Sequence, residues 1–334
     1  MMKNILLSGL LALLTAGGAQ AQLINGAGSS FDNPAFKMWF EAYSSVDSNV
    51  RFNYQSVGSG AGQKQLLSET VDFGASDAPM TDEAMAPAHS KILHIPVVAG
   101  AVVVSYNLPG NLKLKLDGPV LAGIFMGEIA RWNDAKIAAL NPGVTLPDMS
   151  VVVIHRSDGS GTSYIFTDYL SAVSPEWSSK VGKNTVVNWP TGLGGKGNEG
   201  VAGQVKQLPG SIGYVELAYA EQNKLPFADL KNAAGKFITA SPDAVSKAMA
   251  TATVPDDFRF SMVNAPGDDS YPIAGASWVL IYQKQTKAEN GRKLVSFLKW
   301  AVTKGQKLSP SLSYAPLPEN VQQRVVKALD TVTF

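Results

Sequence analysis

The chain contains no cysteine and only three histidines in 334 residues. Without cysteine there is no disulfide framework, no zinc site of the cysteine type and no lipid-modified cysteine anchor, so stability has to come from a large packed core. His89, His94 and His155 are not spaced as metal ligands. Charge is also scarce: charged residues make up 16%, with 28 basic against 27 acidic. That balance argues against a basic nucleic-acid surface. Beyond the first segment, no apolar stretch approaches the length of a membrane span.

The start of the chain has the character of an export signal. Met1-Met2-Lys3 is basic, Ile5 to Ala16 is apolar but too short to span a bilayer, and Ala19-Gln20-Ala21 fits a small-residue cleavage site. Cleavage there predicts a mature, soluble, exported chain beginning at Gln22. The remaining length suits two domains, and a hydrophobic content of 45% suits a well-buried globular protein.

The most informative stretch runs from Ile154 to Ser163, IHRSDGSGTS. Val151 to Ile154 reads as a buried strand, and helical spacing resumes from Tyr164. Between them, Ser160, Gly161 and Thr162 would place unpaired backbone N–H groups and two hydroxyls at a helix N-terminus, where an oxyanion is favoured. Arg156 adds a side chain able to fork onto two oxygens.

Similar strand, Gly/Ser loop and helix patterns occur upstream. Leu23 to Asn25 leads into a predicted loop Gly26–Phe31, followed by Phe36, Trp39, Phe40 and Tyr43 on one helical face, which reads as core. Arg51 to Val57 reads as a strand, Gly58 to Gly62 as a loop and Gln63 to Ser68 as a helix opening. Val71 to Pro79 ends a short strand with Asp77 at its tip. Alternation of this kind predicts an α/β fold with parallel sheets and a ligand at the carboxyl ends of the strands. His94 to Tyr106 is a long β-rich run, interrupted by Pro96 and Gly100, that could pass from one domain to another. Ala135–Leu140 reads as a short helix ended by Asn141-Pro142-Gly143. Ala276–Tyr282 reads as a strand and Gly291–Val302 as a helix.

Two tempting motifs fail on spacing. Gly192 to Gly200 lacks a Ser or Thr after Lys196 and a glycine at the required upstream place, so it is not a P-loop and reads as a structural turn. Ser160 near His155 suggests a serine hydrolase, but Asp158-Gly159-Ser160-Gly161-Thr162 is not a G-x-S-x-G elbow.

The segments Gly26–Phe31, Val71–Pro79, Asp158–Ser163 and Trp189-Pro190 with Gly192–Gly200 resemble, in the same order, the periplasmic phosphate-binding proteins of bacterial ABC-type phosphate importers. Gly213-Tyr214-Val215-Glu216 and Trp300-Ala301 belong to the same resemblance. It implies a two-lobed substrate-binding protein, each lobe a mainly parallel sheet flanked by helices, with the ligand in the interlobe cleft. Lobe one would comprise residues 22–107 and 271–334, and lobe two residues 108–270.

The resemblance further implies a monomeric, high-affinity receptor without cofactor or metal that hands inorganic phosphate to permease and ATPase subunits in the membrane. By this match the phosphate ligands are Ser30, Phe31 through its backbone N–H, Ser59, Asp77, Arg156, Ser160, Gly161 and Thr162, with Asp158 pairing the arginine. Ser30 stands where the family usually has Thr, and Gly60-Ala61-Gly62 where it has Ser-Gly-Gly.

The donor set makes chemical sense for a dehydrated anion, whose oxygens must all be paired. Asp77 could accept the proton of a hydrogen phosphate, which sulfate lacks. A receptor for another tetrahedral oxyanion and an exported phosphoesterase remain the alternative readings.

Overall fold

The computed structural model describes residues 21–110 and 112–334. The expected export signal lies outside these residues except for Ala21. No helix among the described residues is long and apolar enough to cross a membrane.

Eleven strands are described: β1 Gln22–Gly28, β2 Val50–Ser56, β3 Phe73–Ser76, β4 Ile92–Tyr106, β5 Lys115–Leu116, β6 Val152–Arg156, β7 Leu193–Gly195, β8 Ser211–Glu216, β9 Asp229–Lys231, β10 Phe237–Ile238 and β11 Ala274–Tyr282. Eight form one sheet in the order β2-β1-β3-β11-β4-β8-β6-β7, and β10-β9-β5 form a smaller one. The expected parallel pairing holds at both flanks of the large sheet, where β2-β1-β3 and β8-β6-β7 run parallel. Its centre differs: β11 is antiparallel to both β3 and β4, and β4 is antiparallel to β8. A strand from the C-terminal part of the chain is thus inserted at the middle of the sheet.

The apolar run from Ile92 to Tyr106 forms one strand, buried at every position, as suits a strand covered on both faces. Nine of its first ten residues pair with β11 and its last five with β8. Pro96 cannot donate to a ladder. Beside it the register with β11 slips between Ser277 and Trp278, whose partners are Val98 and Pro96. The carbonyl of the skipped residue, Val97, accepts a hydrogen bond from Gln306 Nε2 at 2.9 Å. Bulges of this kind re-aim side chains, and Ser277 is one of those that reach the site.

Helices cover the sheet. On Asn33–Ser44, Phe36, Trp39 and Tyr43 are buried while Phe40 is half-buried, stacking on Phe52 at 4.7 Å. Full burial of side chains this large stabilises the fold by about 1.5–3 kcal/mol each, so this face is core, as its spacing predicts. Helix Ala135–Leu140 has the predicted bounds, because Asp134 caps its start and Asn141 its end.

The glycine-rich segments depart from expectation. β1 continues through Gly26 to Gly28, and the next helix, Ser59–Leu67, already includes Gly60, Ala61 and Gly62. These glycines serve close approach between elements. A Cβ on Gly62 would sit 2.5 Å from Gly28 Cα, and one on Gly26 would enter the Phe73 ring at 2.0 Å. The Gly192–Gly200 tract is likewise more than a turn, since it holds β7 and opens helix Gly197–Gln207.

Candidate anion-binding site

The loop after β1 is held from behind. Three consecutive carbonyls, those of Ser29, Ser30 and Phe31, each accept a tyrosine hydroxyl at 2.6 Å, from Tyr54, Tyr219 and Tyr314 respectively. A fixed carbonyl fixes the plane of its peptide, and with it the direction of the following N–H. The Phe31 N–H is itself bonded to Ser29 Oγ at 2.9 Å.

Helix Ser59–Leu67 begins after Gly58, whose φ of 92° is strained for any side chain. The Ser59 hydroxyl oxygen accepts from the Gly161 N–H at 3.1 Å and the Asp77 N–H at 3.3 Å. The Gly60 N–H donates to the Gly159 carbonyl at 2.9 Å. A Cβ on Gly161 would lie 2.5 Å from Ser59 Oγ and 2.6 Å from Asp77 Cβ, so the two loops meet at van der Waals limit.

Arg156 closes β6. Its Nε donates to Asp158 Oδ1 at 2.8 Å and its Nη2 to Oδ2 at 2.6 Å, while Nη1 reaches Thr162 Oγ1 at 3.3 Å. The guanidinium side chain is 1% exposed against 13% for Asp158, so the two-pronged pair fixes a buried cation. Burial alone would raise the Asp158 pKa, but hydrogen bonds and charge from Arg156 hold it below the usual carboxylate range. Tyr214, part of the segment Gly213–Glu216, accepts the Arg156 N–H at 3.1 Å. Helix Gly161–Val173 follows, capped by Ser160, whose Oγ accepts the Ser163 N–H at 3.0 Å. The Ser160 N–H goes to the Thr185 carbonyl. The His155 ring lies stacked on Trp189 with centroids 5.0 Å apart.

Asp77 sits just past β3, 1% exposed. Its Oδ2 accepts from the Thr162 hydroxyl at 3.4 Å and its Oδ1 from the Ser277 hydroxyl at 2.8 Å. Burial pushes its pKa up to about 6, against the opposing hydrogen bonds of Ser29 and Ser277 and the charge of Arg156.

Of the predicted residues, Ser30, Ser59, Asp77, Arg156, Gly161 and Thr162 converge through hydrogen bonds. Phe31 and Ser160 are buried beside them, with their Phe31 N–H and Ser160 hydroxyl in local turns. Sequence reasoning missed Asn198. Fully buried at the opening of helix Gly197–Gln207, its amide nitrogen donates to Ser30 Oγ at 2.9 Å and Thr162 Oγ1 at 3.1 Å. Its amide oxygen accepts the Glu216 N–H at 3.0 Å. The neighbouring Gly197 N–H donates to Asp158 Oδ1 at 3.0 Å. The signal was present in the glycine tract read as a turn, where Gly197-Asn198-Glu199 precedes a helix. Tyr54, Tyr219, Tyr314 and Ser277 carry no local signal.

A separate cavity of about 480 Å³ lies against His94 and Arg259. Arg259 on its wall is held by Asp82 and Asp257. His94 accepts the Met80 N–H at 2.9 Å, and burial lowers its pKa to about 4.

Residues 15–304 match the PBP superfamily domain. The phosphate-binding protein PstS of Pasteurella multocida is 44% identical over 329 residues, covering 97% of this chain and 95% of that protein. That of Xylella fastidiosa is 45% identical over 309 residues, covering 90% and 83%. The chain belongs to the PBP superfamily and, within it, to the family of these PstS proteins. Among solved structures, a phosphate-binding protein from Stenotrophomonas maltophilia superposes with a TM-score of 0.69 at 19% identity, covering 92% of this chain and 94% of that one. The shared architecture is the two-lobed α/β fold expected from the sequence. Membership also explains why the site joins loops so far apart in the chain, since in this fold two lobes face each other across a cleft.

Proposed function

We propose that this protein is an exported receptor that captures inorganic phosphate between two lobes and delivers it to the permease and ATPase subunits of an ABC importer. One lobe would be residues 22–107 with 271–334 and the other 108–270. The ligand set would be Ser30, the Phe31 N–H, Ser59, Asp77, Arg156, Ser160, Gly161 and Thr162, with Asp158 as support. Asn198 joins this set as the group that ties Ser30 to Thr162. Export to the periplasm as a monomer and a binding role without catalysis belong to the same reading.

The observation that carries it is the pairing of one pinned cation with neutral donors and one acceptor. Arg156 is clamped by Asp158, hydroxyls and backbone N–H groups surround it, and Asp77 faces Thr162. Neutral donors spread an anion's charge, and a carboxylate among them selects an anion that still carries a proton. The PstS relatives, which match nearly the full chain, support the substrate and the transport partner.

Three experiments test this reading. Equilibrium titration with phosphate, sulfate and a phosphoester should show tight binding of phosphate alone, with no phosphoester turnover. Small-angle scattering should show a smaller radius of gyration at saturating phosphate, because binding groups on both lobes favour closure. An unchanged radius would rule out a hinged receptor. Mass spectrometry of the exported chain should place its first residue at Gln22.

A further inference from the structure

Asp32 follows the ligand loop directly and is wholly buried. It stands at the N-cap of helix Asn33–Ser44, yet its side chain accepts no hydrogen bond from that helix and so forgoes the usual capping stabilisation. Its Oδ2 lies instead 2.7 Å from Ser277 Oγ, which lies 2.8 Å from Asp77 Oδ1. The remaining oxygen, Oδ1, is buried and unpartnered. Ser277 reaches both carboxyls from β11, where the register with β4 slips past Val97.

A serine hydroxyl carries one hydrogen and two lone pairs. Ser277 can therefore donate to only one carboxyl at a time, and the second short contact requires a hydrogen supplied by the other carboxyl. Two carboxylates sharing one buried site hold a proton between them. Asp77 is the better place for the negative charge, because Thr162 donates to it and Arg156 attracts it. Asp32 has Ser277 alone. The titratable groups around Asp32 are Asp77, Tyr54 and Tyr314, with Glu216 and Tyr219 beyond them, and none is a cation. The N-terminus of helix Asn33–Ser44 favours an anion, but burial and the Asp77 charge outweigh it and drive the Asp32 pKa well above its ordinary value.

We infer that Asp32, Ser277 and Asp77 form a one-proton relay: Asp32 Oδ2–H donates to Ser277 Oγ, and the Ser277 hydroxyl donates to Asp77 Oδ1, keeping Asp77 an ionised acceptor for a hydrogen phosphate. Asp32 is thus a positioning residue for selectivity. The functional half rests on the proposed role of Asp77, and the placement of the proton does not.

Infrared spectroscopy of the ligand-free protein tests that placement. At about pH 8, above the range in which Asp77 takes up its own proton, the spectrum should contain the carbonyl stretch of a protonated carboxylic acid. The band should move on ¹³C-aspartate labelling, which separates it from Glu216, and vanish in Asp32→Asn. The Asn amide still donates to Ser277, so phosphate affinity should stay within about threefold of wild type and sulfate should remain excluded. Ser277→Ala removes the donor to Asp77 and should weaken phosphate binding about tenfold or more.

Absence of the labelled band from wild type, or its survival in Asp32→Asn, overturns the relay. So does an Asp32→Asn protein that loses as much affinity as Ser277→Ala. Should Asp32→Asn fail to fold, the labelled wild-type band decides. A wild type that shows the band but binds no phosphate sinks the receptor reading and leaves the shared proton standing.

Discussion

Asn198 gives the sharpest test of the site, because its two ends do opposite jobs. Its amide oxygen accepts the Glu216 N–H, and its amide nitrogen donates to Ser30 and Thr162. Asn198→Asp keeps the volume and the acceptor but replaces the donor with lone pairs and adds a charge. At roughly 5 Å and an effective dielectric of about 20, two unit charges repel by about 3 kcal/mol, and more for a dianion. Phosphate affinity should therefore fall more than about a hundredfold. Asn198→Ala adds no charge but leaves the buried Glu216 N–H without its partner, at a cost of about 1–3 kcal/mol in folding stability. Calorimetric titration and urea unfolding of both variants separate the effects. Wild-type phosphate affinity in a folded Asn198→Asp protein would refute the placement of the anion beside this amide.

Four further outcomes follow from the same geometry. Arg156→Ala should lower phosphate affinity at least about tenfold, since a charge-assisted partner contributes about 1.5–3 kcal/mol; a titration at wild-type affinity would remove this loop from the site. Asp77→Asn should lose less phosphate affinity than Arg156→Ala and gain measurable sulfate binding, read by competitive titration at neutral pH. Gly161→Ala would drive a Cβ to 2.5 Å from Ser59 Oγ, so phosphate binding should weaken and stability should fall by about 1–3 kcal/mol in paired titration and unfolding measurements. Sulfate binding by wild type should appear as pH falls through about 6, where Asp77 gains a proton it can donate. Because the folded-state pKa of Asp77 is raised, its burial penalty is present above about 6 and relieved towards about 4. Sulfate titrations at several pH values would show the change while unfolding curves show no loss traceable to Asp77.

The site was legible where local pattern and tertiary role agree. A β-branched strand, an arginine after it and a Ser-Gly-Thr helix opening occur together at 152–162, so the strand–loop–helix order could be read directly, although the strand runs on to Arg156, two residues past its expected end at Ile154, and the Arg156–Asp158 pair came from the family resemblance. Agreement failed at Gly26 and at Gly60 to Gly62, where the Phe73 ring pressing on Gly26 and the Gly28 backbone pressing on Gly62 require glycine for close packing. Packing there overrides the local preference of glycine for loops. The central position of β11 was not legible either, because strand order depends on pairings distant in sequence. Asn198 was hidden because a glycine-rich tract can end in a helix N-terminus as readily as in a turn. The tyrosines that hold the Ser29 to Phe31 carbonyls come from three separate parts of the chain, and only the folded sheet brings them to one loop.

The charges in the cluster leave little room for simple attraction as the basis of capture. One guanidinium, Arg156, is set against two carboxylates, Asp158 and Asp77, and the first of these already takes two of its N–H groups. An anion entering here meets no net positive charge at short range. Its stabilisation has to come from dipoles: the openings of helices Ser59–Leu67, Gly161–Val173 and Gly197–Gln207, and the hydroxyls of Ser30, Ser59 and Thr162. Such donors are numerous but individually weak, so selection depends on how many the anion can satisfy and whether it can donate to Asp77 in return. Fully ionised sulfate has no hydrogen to give. Hydrogen phosphate has one, and a site that includes a buried carboxylate acceptor turns that single hydrogen into the basis of discrimination.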